Sequence, residues 1–242
     1  MEYATAVVLA GGLGTRLREA VPDLPKPLAP VAGRPFLAHL LDFLARQGVR
    51  EVILATGYRG EDIAEALGKR HGEITLRYSQ EDRPLGTGGA VARAMREHNS
   101  SDPLWVVNGD TYFDCDFLEL ALTHEANTAD VTLALTHVED AGRYGRVELS
   151  ARSRGGGALI DAFREKEPGA SGLINAGVYL LNPAALQRVD LPEAFSLERD
   201  FFADNLEDLR LIGAPQAGYF IDIGVPSDYE RAQAYFAQTS DG

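Results

Sequence analysis

Cysteine is nearly absent: Cys115 is the only one in 242 residues. The chain can form no internal disulfide and supplies no cysteine-based zinc site. Lysine is almost as scarce, with Lys26, Lys69 and Lys166 standing against 20 arginines. No apolar run approaches the ~20 residues of a membrane span, and no basic stretch leads into an apolar one at the N-terminus. These absences lead us to expect a cytoplasmic protein with no membrane insertion. A net charge of −13 excludes a general nucleic-acid binder, which needs a basic face. Any site for an anionic ligand must therefore be local. His39, His71, His98, His124 and His137 show no metal-ligand spacing, and no Ser, Cys or His constellation suggests a covalent nucleophile. Internal repeats, heptads and low-complexity tracts are also missing.

What is present has the composition of a globular protein, 45% hydrophobic and 24% charged, at a length suited to one domain. Strand-like runs alternate with helix-like stretches through the first half. Strands are expected at Ala6–Ala10, Glu51–Thr56, Ile74–Tyr78, Leu104–Val107 and Val131–His137. Helices are expected at Pro35–Gln47, Glu61–Lys69, Ala90–His98 (opened by a glycine turn at Gly86–Gly89) and Asp116–Asn127. Such alternation predicts a doubly wound, mostly parallel sheet with ligands at the carboxyl ends of its strands. After Asp140 the rhythm shifts. Arg146–Leu149, Leu159–Arg164 and Gly172–Leu181 read as strands of a mixed extension, with Ser153–Gly157 as a turn. Ala184–Val189, Leu197–Leu206 and Asp228–Gln238 read as helices, and Tyr219–Ile223 as a late strand. Trp105 reads as core, and Asp114 and Asp116 as turn and cap residues. The fold expected is a single α/β domain with a Rossmann-like mixed sheet.

Each of two glycine-rich loops begins where a strand ends. The first, LAGGLGTRLREAVPDLPKPL, leaves the first strand through Gly11, Gly12 and Gly14 before Arg16, Arg18 and Lys26. Without a Cβ the backbone can approach a ligand closely, and bare amides suit phosphate oxygens. It is not a P-loop, since no Gly-Lys-Ser or Gly-Lys-Thr exists, and G-x-G-x-x-G fails at Leu17. The second loop, PLGTGGA, spans Pro84–Ala90. Both should emerge at one edge of a parallel sheet.

LAGGLGTRL followed by PKPL resembles the signature of the sugar-1-phosphate nucleotidyltransferases. The resemblance continues in order through PLGTGGA, NGDTYF (Asn108–Phe113), EK (Glu165–Lys166), NAGVYLL (Asn175–Leu181) and YFIDIGVPSDY (Tyr219–Tyr229). VPDLPKPLAPVAGRPFL and RYGRVE look closest to the branch that uses GTP and D-glycero-α-D-manno-heptose 1-phosphate. Other sugars and bases stay open, such as UTP with N-acetylmuramate 1-phosphate or GTP with mannose 1-phosphate, as does a non-catalytic nucleotide-sugar sensor. The sensor would be expected to have lost Arg16, Lys26, Asp110 or Asp222. No hexapeptide repeat appears, so the C-terminal β-helix of longer relatives is not expected. A homo-oligomer is compatible with the sequence.

The resemblance implies roles for particular residues. Asp110 and Asp222, at the ends of apolar runs, would hold Mg²⁺, an ion suited to one or two carboxylates plus phosphate oxygens. Arg16 would bind the leaving pyrophosphate and Lys26 the α-phosphate. Leu9, Ala10, Gly11, Gly12, Gly14, Thr15, Gly86, Thr87 and Gly109 would border the nucleotide, and Glu81 would face its base. A carboxylate there could accept from both N1–H and the exocyclic amine of guanine. Tyr144, Gly145, Glu165, Lys166 and Asn175 would take the sugar phosphate, while Arg18 and Arg34 read as peripheral. Residues up to about 115 would form the nucleotide half and the remainder the sugar-phosphate half.

Overall fold

A computed structural model of the chain describes residues 3–12, 17, 21, 24–99 and 102–239. Its centre is the apolar strand β1 (Thr5–Leu9). Side chains alternate across a strand, so β1 feeds two cores. Ala6 and Val8 face one layer and Val7 the other. Trp105 and Val107 likewise join the first core, and Leu104 and Val106 the second. Trp105 is fully buried, as expected, and its indole donates to the Tyr3 carbonyl at 3.0 Å.

The remaining strands follow in order: β2 (Pro30–Val31), β3 (Arg34–Pro35), β4 (Glu51–Thr56), β5 (Arg70–His71), β6 (Ile74–Gln80), β7 (Leu104–Asn108), β8 (Thr111–Phe113), β9 (Val131–Val138), β10 (Arg146–Arg154), β11 (Gly157–Arg164), β12 (Gly172–Leu181), β13 (Leu211–Pro215) and β14 (Phe220–Asp222). The helices are α1 (Phe36–Arg46), α2 (Gly60–Leu67), α3 (Gly86–Glu97), α4 (Phe117–Ala126), α5 (Pro183–Gln187) and α6 (Pro226–Thr239). Ten strands form one sheet in the order β10-β11-β13-β9-β12-β7-β1-β4-β6-β5. β7, β1, β4 and β6 run parallel, β12 enters antiparallel between β7 and β9, and β13 pairs parallel with β9. β4 and β6 lie on one side of β1 and β7 on the other, so the topological switch falls beside β1, where ligands of such sheets bind. Among the described residues no helix is long and apolar enough to cross a membrane.

Several expectations need correction. Gly86–Gly89 is not a turn ahead of a helix, because α3 begins at Gly86 and the glycines form its first turn. Leu197–Leu206 is not α-helical: Leu197–Phe202 is a π-helix and Ala203–Asn205 a 3₁₀ turn. Ser153 and Arg154 belong to β10, and only Gly155–Gly156, with φ of +56° and +82°, makes the hairpin turn. Positive φ at both central residues matches a two-residue turn in register with strand twist. Tyr219–Ile223 does yield β14, but in a two-stranded ribbon with β8 outside the large sheet. Asp116 caps α4 as expected, accepting from the Leu118 and Glu119 amides at 2.8 and 3.1 Å.

Candidate active site

Three separated pieces of chain meet beyond the carboxyl ends of β1 and β7. Lys26 opens a 3₁₀ turn, Lys26–Leu28, in which the Leu28 amide donates to the Pro25 carbonyl at 2.8 Å. Pro27 and Leu28 are buried and pin that turn to the core. The flanking prolines, which preset φ, thus fix the root of a lysine side chain. Asp110 follows β7 through Gly109, whose amide donates to the Leu9 carbonyl at 2.9 Å. A Cβ at Gly109 would stand 2.6 Å from that oxygen, so only glycine lets the β1 and β7 exits cross this closely. Asp222 ends β14, and the antiparallel register setting it opposite Thr111 carries it to the same place. The Ile223 amide locks the join by donating to the Asp110 carbonyl at 3.0 Å.

Lys26 Nζ donates to Asp110 Oδ2 at 2.6 Å and to Asp222 Oδ1 at 3.3 Å. Its side chain is only 10% exposed. The ammonium therefore neutralises two carboxylates that would otherwise repel each other. Asp222 is held further by the Gly224 amide, which donates to Oδ1 at 2.7 Å, and by Arg143, whose guanidinium lies 3.8 Å from Oδ2. Arg143 also pairs with Asp228, a buried carboxylate in the first turn of α6. A Cβ at Gly224 would come within 2.8 Å of Asp222 and 3.2 Å of the Lys26 ammonium. The charge cluster leaves room for nothing larger.

Beside this cluster opens a cavity of about 720 Å³, bordered by Leu9, Gly11 and Gly12 after β1, Gly57 and Tyr58 after β4, and Glu81 after β6. Gly86 and Thr87 of α3, Asn108 at the end of β7 and Asp110 beyond it also line it. The two glycine-rich segments do emerge at one sheet edge. Glu81 Oε2 accepts from the Leu85 amide at 2.9 Å, so one oxygen is committed to the loop. Burial pushes its carboxyl pKa up, against the pull of that hydrogen bond and of the Arg93 charge. The first turn of α3 is braced from behind: the Phe195 carbonyl accepts from the Gly88 and Gly89 amides at 2.9 and 3.3 Å. Gly86 sits at φ +72°, and its Cβ would meet that carbonyl at 2.4 Å.

A cavity of this size bordered by Gly11, Gly12, Gly57 and Gly86, next to a lysine and two carboxylates, suits a ligand with a flat polar ring and phosphates. Its carboxylates offer only oxygen, the donor Mg²⁺ prefers. They fit the ion because both already converge on one cation, Lys26. No cluster of three or more His, Cys, Asp or Glu side chains able to hold a metal exists among the described residues.

Residues 5–239 match the family model described as nucleotidyl transferase. The chain belongs to the nucleotidyl transferase family. It is 42% identical, over 94% of its length and 96% of the relative's, to the D-glycero-alpha-D-manno-heptose 1-phosphate guanylyltransferase of Aneurinibacillus thermoaerophilus. Its identity to the protein of that name from Campylobacter jejuni is 40%, covering 93% of this chain and 96% of the relative. The mannose-1-phosphate guanyltransferase of Schizosaccharomyces pombe is 37% identical over 93% of this chain, which spans 62% of that longer protein. Among solved structures, HddC from Yersinia pseudotuberculosis complexed with GMP-PN superposes with a TM-score of 0.82 at 32% identity. That match covers 96% of this chain and 99% of the other.

Within this nucleotidyl transferase, the structure brings together Lys26, Asp110 and Asp222, and sets Leu9, Gly11, Gly12, Glu81, Gly86 and Thr87 around one cavity. Ala10 is buried beside them, its amide donating to the Ala55 carbonyl at 2.8 Å. Gly14, Thr15, Arg16 and Arg18 lie outside the described residues. Glu165 and Lys166 are exposed on the segment after β11 and make none of the contacts that hold the carboxylate pair, which fall to Lys26 and Arg143. Gly145 abuts their segment, for a Cβ there would meet the Arg164 carbonyl at 2.6 Å. The Tyr144 ring packs edge-on against Phe220, one residue from Ile221 of β14. Asn175 points its amide at Tyr179. Arg34 is peripheral, paired with Asp42 at 2.8 Å. Sequence reasoning missed Arg143, Asp228, Phe195 and Glu198. Arg143 opens the RYGRVE motif and Asp228 lies within YFIDIGVPSDY, so both could have been suspected; Phe195 and Glu198 carry no local signal.

Proposed function

We propose that the protein transfers the GMP unit of GTP to D-glycero-α-D-manno-heptose 1-phosphate in the cytoplasm, forming GDP-heptose and releasing pyrophosphate. One observation carries this reading: identities of 42% and 40%, over nearly the whole of both chains, to two proteins named for that reaction. The GMP-PN complex of HddC supports the choice of base. The 37% identity to a mannose-1-phosphate guanyltransferase keeps mannose 1-phosphate as a second candidate.

A phosphate oxygen of the sugar phosphate forms a bond to the α-phosphorus, and the bond from that phosphorus to the β-phosphate oxygen breaks. The nucleophile is already an anion, so no general base is required. Catalysis then rests on positioning and charge neutralisation. Gly11 and Gly12 after β1 and Gly86 and Thr87 at the start of α3 would seat the base and ribose, with Glu81 facing the base. Asp110 and Asp222 would hold Mg²⁺, which supplies positive charge against the triphosphate. Lys26, released from the carboxylates, would donate to the α-phosphate as its charge builds. Arg16 would take the pyrophosphate oxygens. Tyr144, Gly145, Glu165, Lys166 and Asn175 would hold the sugar phosphate. This assigns the nucleotide to residues up to about 115 and the sugar phosphate to the remainder, with Asp222 bridging the two.

The test is pyrophosphate release with Mg²⁺, each common NTP and a panel of sugar 1-phosphates. Turnover confined to GTP with the heptose phosphate is expected. Preference for mannose 1-phosphate would replace the sugar, and absence of turnover with every pair would overturn the reading.

A further inference from the structure

A continuous chain of side-chain hydrogen bonds runs between the nucleotide loop and the sugar strand, and the chemistry above does not use it. The Thr87 hydroxyl, in the first turn of α3, donates to Glu198 Oε2 at 2.9 Å and accepts from the Leu197 amide at 2.9 Å. Ser196 donates to the same Glu198 oxygen at 3.0 Å. On the other side the Tyr179 hydroxyl donates to Glu198 Oε1 at 3.4 Å and accepts from Asn175 Nδ2 at 2.9 Å. Asn175 Oδ1 in turn accepts from the Gly177 amide at 2.9 Å. Each oxygen of one carboxylate thus serves a different half of the site.

Both supports of this chain depart from regular geometry. Glu198 lies on the π-helix, where the Phe201 amide reaches back to the Ser196 carbonyl at 3.1 Å. Such wide turns are rare and mark functional segments. In β12 the register against β9 breaks between Asn175 and Tyr179, and Gly177 adopts φ +72°. An unbroken strand would set these two side chains on one face with Cα atoms roughly 13 Å apart. The irregular stretch re-aims Asn175 toward the phenol, as bulges beside sites do. Tyr179 is completely buried, and burial together with the Glu198 charge keeps its phenol protonated as a donor.

We propose that Glu198 is a positioning residue that couples the two substrate sites, holding the nucleotide loop through Thr87 and the sugar strand through Tyr179 and Asn175. The inference rests on the functional reading given above. A nucleotide seated on α3 fixes Thr87, and Thr87 fixes the carboxylate. Tyr179 and Asn175 are then ordered before the sugar phosphate arrives, so the second ligand pays less of the ordering cost. Asn175 still has one amide N–H and one carbonyl lone pair for a sugar hydroxyl.

The experiment measures, by calorimetry with Mg²⁺, the affinity of α,β-methylene-GTP with and without saturating heptose 1-phosphate. It compares the wild type with Glu198→Gln and Tyr179→Phe. Gln keeps one acceptor but turns the other into a donor, while Phe preserves packing and cuts only the sugar-side arm. In the wild type each ligand should tighten the other by about fivefold or more. In both variants that factor should fall to near one, with the nucleotide's own affinity nearly unchanged in Tyr179→Phe. A factor equal in all three proteins, or no coupling in a wild type that turns the substrates over, would overturn the inference alone. A wild type with no turnover on any pair would overturn the functional reading and the inference with it. Should Glu198→Gln fail to fold, Tyr179→Phe carries the same test.

Discussion

Lys26 stands between the two carboxylates to which the proposed function gives Mg²⁺. Its ammonium bonds both Asp110 and Asp222, so in the absence of substrate it screens a carboxylate pair that the bound ion would screen instead. Lys26→Met should therefore do two things at once. It should lower kcat/KM by roughly 10²–10³-fold, the usual loss when one preorganised donor is removed. It should also make thermal stability depend more strongly on Mg²⁺, because Asp110 then loses its Lys26 partner and Asp222 keeps only the more distant Arg143. A melting-temperature titration with Mg²⁺ checks the second part; equal shifts in wild type and variant would remove the exchange idea. Glu81 offers another residue-scale test. One of its oxygens holds Leu85, and burial already disfavours its charge. Glu81→Gln keeps an acceptor for Leu85, so the loop should survive while the preference for GTP over other NTPs falls. Competition assays among NTPs measure it, and an unaltered ratio would detach Glu81 from base reading. Lys26, Asp110 and Asp222 were legible in the sequence because each sits in a motif. Arg143 also sits in a motif, but its pairing with Asp222 and Asp228 depends on partners far along the chain, and Glu198 has no motif at all.

Elements were legible where one local signal dominated. Glu51–Thr56 is an apolar, β-branched run and forms β4 within the same bounds. β13, by contrast, reads Leu-Ile-Gly-Ala-Pro, and its glycine and proline argue against a strand. Pairing with β9 on one side and β11 on the other overrides that local preference. The first turn of α3 shows the same override. Three glycines in four residues predict a turn, yet the helix forms because Phe195 packs where Cβ atoms would be. A Cβ at Gly88 would lie 2.0 Å from the Phe195 ring, and one at Gly89 2.5 Å from the Glu193 carbonyl. Helix propensity alone would favour alanine at such positions by about 1 kcal/mol. Here overpacking should win, at roughly 1–3 kcal/mol. Gly88→Ala should thus lower the denaturant midpoint and weaken nucleotide binding together. A variant more stable than wild type would show that the Phe195 segment yields freely.

At the scale of the molecule, the doubly wound sheet sets loops from β1, β4, β6 and β7 around one cavity, and the β8/β14 ribbon returns a late carboxylate to it. That frame was legible from alternating strands and helices, while the ribbon depends on long-range register that no local pattern encodes. Its stability should carry a pH signature from the layer that α4 builds against β9. His124 is buried there, its Nδ1 3.0 Å from the Thr132 hydroxyl. Burial is the main cause that lowers its pKa from 6.5 to about 4, against the weaker opposing charges of Asp130 and Glu125. In the unfolded chain the imidazole binds a proton near pH 6.5, and in the folded chain it resists until about pH 4. The unfolded state therefore holds more protons between those values, and stability falls as pH drops through that window. Its full contribution is present above pH 6.5. Between pH 7 and 5 the loss from this one group should be about 2 kcal/mol. His39, whose pKa burial also lowers, and Glu81, whose pKa burial raises, contribute alike to wild type and variant, so the difference between the two proteins isolates His124. Urea melts at pH 7 and pH 5 on wild type and His124→Gln provide the measurement. The variant should be less stable at pH 7, having lost a packed ring, yet lose less on going to pH 5. Parallel losses in the two proteins would mean that His124 takes up its proton without opening the α4 layer.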